Sequence, residues 1–227
     1  MTAQENTSLS EPGALIPVAT GSLRWRLREA TRTEHDAIED CLGLHKRELT
    51  LVEYTSLLKT YFGFYQPLER DLALIDWPAG SIAMSARRKA GWLASDLADL
   101  GLDDEHITSL PLCRTRRPLV TVNDGLGALY VLEGATLGGQ QIMRRLGPAL
   151  EISASNAGRF FSSYGASTGP MWRSFLVSLE EAGRDPGARA AIERAAIETF
   201  GNLRAWLTTT MEWAPSDRGR SACELAG

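Results

Sequence analysis

The sequence predicts an all-α, single-domain protein, and three observations carry that prediction. Apolar residues recur at steps of three and four along almost the whole chain. Alternating β-branched runs bounded by turns are nearly absent, with VTV at 120–122 the nearest. Helix start and stop signals punctuate the pattern at helix-length intervals. A chain of 227 residues suits one generous domain that buries its own core.

The first helix is expected over 22–42, where Leu23, Leu27, Ala30, Thr31, Glu34, Ile38 and Cys41 or Leu42 recur. The second opens at Thr50, whose pairing with Glu53 reads as a capping box, and runs to Leu72 with a kink at Pro67. A third covers 81–100, with Leu93, Leu97 and Leu100 inward and Gly101 as its stop. The stretch 102–118 carries two prolines and reads as a connection. A long helix follows over 119–146, ended by Gly147 and Pro148. Shorter helices are expected at 154–163 and 170–181. Asp185 and Pro186 then read as N-cap and first-turn proline of a final helix reaching Trp213. Residues 1–20 are expected to form a flexible leader, 21–213 the domain and 214–227 a flexible tail.

Twenty-four Lys and Arg stand against 28 Asp and Glu, a formal net charge of −4. That balance gives no general attraction to nucleic acid or an anionic membrane surface. The first twenty residues lack a basic region followed by a long apolar one, so they are no signal peptide. No apolar run of about twenty residues marks a membrane span. Cys41, Cys113 and Cys223 form no CxxC pair, and that usage fits a reducing, cytoplasmic setting. HExxH, GxSxG, Walker and dinucleotide-binding patterns are all missing.

Only three histidines exist: His35, His45 and His106. The last two sit in polar connections and read as solvated. His35 lies on the margin of the first helix's apolar stripe, with Arg28 two turns before it and Glu39 one turn after. Such a histidine can present one ring nitrogen to a metal while the carboxylate orients the other. It can equally be a boundary histidine in an ordinary i,i+4 contact. The long helix carries Gly134, Gly138 and Gly139 in mid-pattern, each costing about 1 kcal/mol against alanine. Gly127, Gly134 and Gly138 share a face. A bare backbone strip admits a flat ligand, and close helix packing accounts for it equally well. Arg87, Arg88 and Lys89 read as a solvated helix face or as a docking patch for an acidic electron-transfer protein. Trp92, Trp172 and Trp206 are core candidates.

Over 23–206 the chain resembles the haem oxygenases, in particular bacterial biliverdin-forming members associated with bacteriophytochromes. LREATRTEHDAIE, at 27–39, is similar to the family's proximal helix, and YVLEGATLGGQQI, at 130–142, to its glycine-rich distal helix. FFSSYG followed by MWRSFLVSLE resembles the segment leading into a later helix with a propionate-binding arginine. The resemblance implies an all-α bundle with haem between the proximal helix and a kinked distal helix. It implies that His35 ligates the iron beside Glu39, and that Gly134, Gly138 and Gly139 form the distal floor. Arg28, Arg173 and Tyr130 would meet the propionates. Dioxygen and an external electron donor of ferredoxin or reductase type would be consumed, yielding biliverdin, carbon monoxide and iron. A bacteriophytochrome would use the product. Ala135 stands where mammalian-type members carry an aspartate, so proton supply would pass through water, backbone, or another side chain such as Thr136 or Gln140. A haem-binding or haem-sensing protein without turnover, a haem-free enzyme on the same architecture and a helical interaction module remain as rivals.

Overall fold

A computed structural model describes residues 21–44, 47–114 and 117–211. The expected leader, the tail, His45, Cys223 and the Trp213 helix end lie outside the described residues. Within them the chain folds as eight α-helices with no β-strand: α1 (Leu23–Leu42), α2 (Leu51–Leu74), α3 (Ala90–Asp99), α4 (Asp104–Thr108), α5 (Val122–Leu150), α6 (Arg159–Ser162), α7 (Thr168–Ala182) and α8 (Pro186–Thr210). None of the described helices is long and apolar enough to cross a membrane.

Three of the side-chain-capped helix starts, those of α1, α2 and α8, follow the sequence. Ser22 accepts from the Trp25 N–H at α1, Thr50 and Glu53 close their capping box at α2, and Asp185 accepts from the Ala188 N–H at α8. Each satisfies backbone donors that a helix start leaves unpaired. Pro67 stays inside α2. A proline there frees the carbonyl four residues earlier, and that carbonyl, Gly63 O, accepts the Cys113 N–H at 2.9 Å. Gly63 admits the crossing segment: a Cβ at this position would stand 2.4 Å from Pro111 O.

Elsewhere the expected boundaries shift. In place of one helix over 81–100 there is a 3-10 turn, Met84–Ala86, and a break before α3. The break comes from Glu69 of α2, whose carboxylate accepts the N–H groups of Lys89 and Ala90 and caps α3 from a distance. The expected connection contains α4, capped by Asp103. The helix expected at 154–163 shrinks to α6. Before it, Ser153 and Asn156 pair and Ala157 takes a positive φ of 56°. Asp96 and Asp99 of α3 receive the N–H groups of Ala157, Arg159 and Phe160 and fix this loop. At α5 the Pro148 stop is overrun, and the helix ends only at Glu151, in the left-handed region with its N–H on Gly147 O.

α8 is the common support. Both α5 and α1 pack along it, while α2 packs on α3. Gly127 brings the α5 backbone onto α8, since a Cβ there would come within 2.6 Å of Ala195 Cβ and Ile192 O. The start of α5 is held by Asp124, buried between the Thr121 N–H and hydroxyl and the Arg117 guanidinium. Burial acts to raise this carboxyl, but Arg117, Thr121 and the Val120 N–H outweigh it and hold it down to about 2. A depressed carboxyl contributes stability that is full above its unfolded value near 4 and lost as pH falls through about 2. Asp124→Asn is expected to cost about 1–2 kcal/mol at pH 7. The variant should also lose stability less steeply between pH 4 and 2 than the parent, as chemical denaturation across that range will show.

Candidate functional site

α1 is placed by its neighbours at both ends. Glu180 of α7 accepts the N–H groups of Leu23 and Arg24. Arg26 pairs with Glu193 and Glu34 with Arg204, both of α8. His35 is left half exposed, at 54% of its side chain, with its ring edge-on to Phe200 at 6.1 Å. Nδ1 lies 3.7 Å from Asp36 Oδ1 and Nε2 3.8 Å from Glu39 Oε1. Both separations exceed hydrogen-bond length, so Glu39 stands beside the ring without fixing it. An imidazole presented this way is open to a ligand.

The glycines of α5 divide into two kinds. Gly139, like Gly127, is forced by packing, because a Cβ there would meet Phe161 O at 2.6 Å. Among the described residues, nothing lies within 4 Å of a Cβ at Gly134 or Gly138. They stand one turn apart on one face, with Ala135 exposed beside them. No packing accounts for their lack of side chains. They leave a strip of bare helix backbone facing open space.

α1 and α5 lean on α7 and α8 and barely touch each other. They meet where the Tyr130 phenol interacts with the Thr31 hydroxyl, close to Arg24 and Arg28. Burial raises the phenol above its ordinary value, against that hydroxyl and the two guanidinium charges. His35 is one turn beyond Thr31, and Gly134 one turn beyond Tyr130. Trp172 of α7 closes the cluster, 5.9 Å from Tyr130 between ring centroids, with the Arg24 guanidinium 5.9 Å over its ring. Its indole Nε1 is buried and has no hydrogen-bond partner among the described residues. A buried orphan donor costs about 1–3 kcal/mol, which a ligand acceptor would offset. Arg24 and Arg28 form no ion pair with a carboxylate among the described residues. Arg173 is exposed and leans back over Gly169 of its own helix.

The remaining polar candidates are committed elsewhere. Thr136 is buried and donates to Glu133 O at 2.6 Å. Gln140 Nε2 donates to Gly165 O and Thr168 Oγ1. His106 is exposed beside Asp103. The solvated reading of Arg87 and Lys89 is overturned: they are 4% and 1% exposed. Their charges meet Glu133, also fully buried, at 2.7 and 2.6 Å. Only Arg88 of that run is exposed, so the run offers no docking patch.

Arg24 and Trp172 were not legible as site residues. Arg24 stands one turn before Arg28, a signal the spacing does carry. The orphaned indole N–H has no sequence signature. The assembled chemistry is an open imidazole, a bare flat strip and a cluster of unpaired donors that suits a carboxylate. A flat, metal-bearing dicarboxylate such as haem fits that set.

The chain matches the Heme oxygenase family model over residues 22–209. It belongs to the heme oxygenase family. The fold agrees with the NO- and CO-bound heme oxygenase from Neisseria meningitidis, at a TM-score of 0.70 and 21% identity, covering 87% of this chain and 96% of that one. No curated protein sequence matches it. The family's all-α architecture is thus present in full, with the open imidazole and the bare strip on α1 and α5, the two helices that hardly touch.

Proposed function

We propose that this heme oxygenase family member opens haem to biliverdin, releasing carbon monoxide and iron, with dioxygen and electrons from an external ferredoxin- or reductase-type donor. The observation that carries the reading is the open space over Gly134 and Gly138, which packing leaves unexplained. Bound haem supplies redox-active iron and is itself the substrate.

The chain's own residues hold, orient and screen. His35 would hold the iron through one ring nitrogen, with Asp36 beside Nδ1 and Glu39 beside Nε2. Arg28, with Arg24 and Tyr130, holds a propionate by charge and hydrogen bonding, and the Trp172 Nε1 proton fills its vacant bond there. Arg173, exposed on α7 and folded back over Gly169, would have to turn outward to meet a propionate, the role the family resemblance implies for it. The 134–138 backbone forms the distal wall and takes no space that a side chain would need. With Thr136 and Gln140 already donating to protein oxygens, protons come from water at the exposed Ala135. A bacteriophytochrome is the consumer of the product that the family resemblance suggests.

A haemin titration followed by ascorbate or a ferredoxin–reductase system is the test. A Soret band saturating at one haem per chain and then giving way to a broad red bilin band is expected. A Soret band stable to reductant and air would instead establish a haem-binding protein without turnover, the second reading, which Ala135 favours. No band would remove haem altogether. Trp172→Phe keeps one aromatic ring but deletes the N–H, so haemin affinity per folded molecule should fall about fivefold, about 1 kcal/mol. The lost second ring of this buried residue lowers stability as a separate effect. Unchanged affinity would release Trp172 from the propionate.

A further inference from the structure

Behind the bare strip lies a buried ionic cluster that the function above does not use. Glu133 immediately precedes Gly134, and its side chain is fully buried. Its carboxylate accepts from Arg87 Nη1 at 2.7 Å, Lys89 Nζ at 2.6 Å and the Tyr164 hydroxyl at 2.8 Å. Arg87 also reaches Met171 O and Ser174 Oγ of α7. Lys89 donates to Arg87 O and lies 3.0 Å from the Tyr164 hydroxyl. Burial pushes the Lys89 ammonium down, against the pull of Glu133 and Glu69, and raises the Tyr164 phenol.

Taking these charges out of water is costly, and apolar packing would serve stability as well. The cluster's position suggests what it does. The strip combines poor helix formers with an unpacked outer face, so whatever keeps it in place acts from the buried side. Glu133 joins that turn of α5 to Arg87 and Lys89 before α3, through Arg87 to α7, and to Tyr164, two residues after α6. The Thr136 hydroxyl adds a second tie at Glu133 O, a contact that bends helices.

We propose that Glu133 is a positioning residue for the distal strip: clasped by Arg87, Lys89 and Tyr164, it sets how far the 134–138 backbone stands into the crevice. The inference rests on the haem reading only for the ligand that feels this position. Tyr164→Phe is the first variant, since it removes one hydroxyl contact and strands no buried charge. Glu133→Gln is the second.

Two readouts apply. In the haem-free protein, amide hydrogen exchange at 134–138 should rise at least about tenfold in Tyr164→Phe, while core amides of α8 stay unchanged. In the haem-loaded protein, the infrared stretching band of added carbon monoxide should shift or broaden, whatever happens to turnover. Exchange that rises equally in α5 and α8, or does not rise, overturns the proposal, and so does an unmoved carbon monoxide band. If haem does not bind, the haem reading fails, and exchange alone still decides the clasp. Should Glu133→Gln not fold, Tyr164→Phe decides.

Discussion

His35→Ala is expected to abolish haem ring opening while leaving the fold intact. The side chain is half solvent-exposed and makes no hydrogen bond among the described residues, so its removal should change stability by no more than about 0.5 kcal/mol. If His35 holds the iron as proposed, its loss removes that nitrogen, and turnover with a ferredoxin or reductase donor should fall at least about a thousandfold, about 4 kcal/mol. Some haem should still bind, held by the arginine, tyrosine and tryptophan cluster and by apolar contact, with an altered Soret band. Added imidazole should restore the parent spectrum in part. A variant that still forms biliverdin at a comparable rate would show that another residue ligates the iron.

The second large effect separates the α5 glycines by sign. Gly134→Ala with Gly138→Ala adds two methyl groups where nothing stands within 4 Å. The ligand-free protein should gain about 2 kcal/mol in helix propensity and melt several degrees higher. The same methyls occupy the space a flat ring needs against the backbone, so haemin affinity should fall at least tenfold, about 1.4 kcal/mol. Gly127→Ala should do the reverse. Its methyl meets Ile192 O at 2.6 Å, and overpacking of that kind costs about 1–3 kcal/mol, with haem affinity per folded molecule little changed. Calorimetric melting beside haemin titration checks both variants. If the double alanine variant binds haemin as tightly as the parent, the strip is not the haem wall.

What was legible follows from where each interaction lies in sequence. Thr50 with Glu53 and Asp185 with Pro186 are local devices, and the helices begin where those residues place them. The interruption within 81–100 depends on Glu69, about twenty residues upstream, and so has no local signature. Arg87 and Lys89 looked solvated because a run of cations usually is. Their partner Glu133 is 46 and 44 residues away. The candidate site was legible by residue type, through a marginal histidine and unexplained glycines. Periodicity puts Gly127 on the same face as Gly134 and Gly138, yet their surroundings differ: Gly127 is closed by an α8 backbone that only the fold brings there, and Gly139 likewise by Phe161. Gly134 and Gly138 are left open.

Those two closed glycines have a mechanical consequence. Gly127 and Gly139 bring α5 onto other backbone at two places twelve residues apart, about 18 Å along the helix. A rod gripped at both places cannot slide or swing without disturbing α8 or the loop at Phe161. On the opposite side α1 is held through side chains. Leu23, Leu27, Ile38 and Leu42 are buried in the core, and Arg26–Glu193 and Glu34–Arg204 add pairs that retain contact with solvent and are individually weak. α5 therefore meets its supports backbone against backbone at Gly127 and Gly139. α1 meets its supports through side chains that can re-pack, so any change in the spacing of the two helices is expected at α1 before α5.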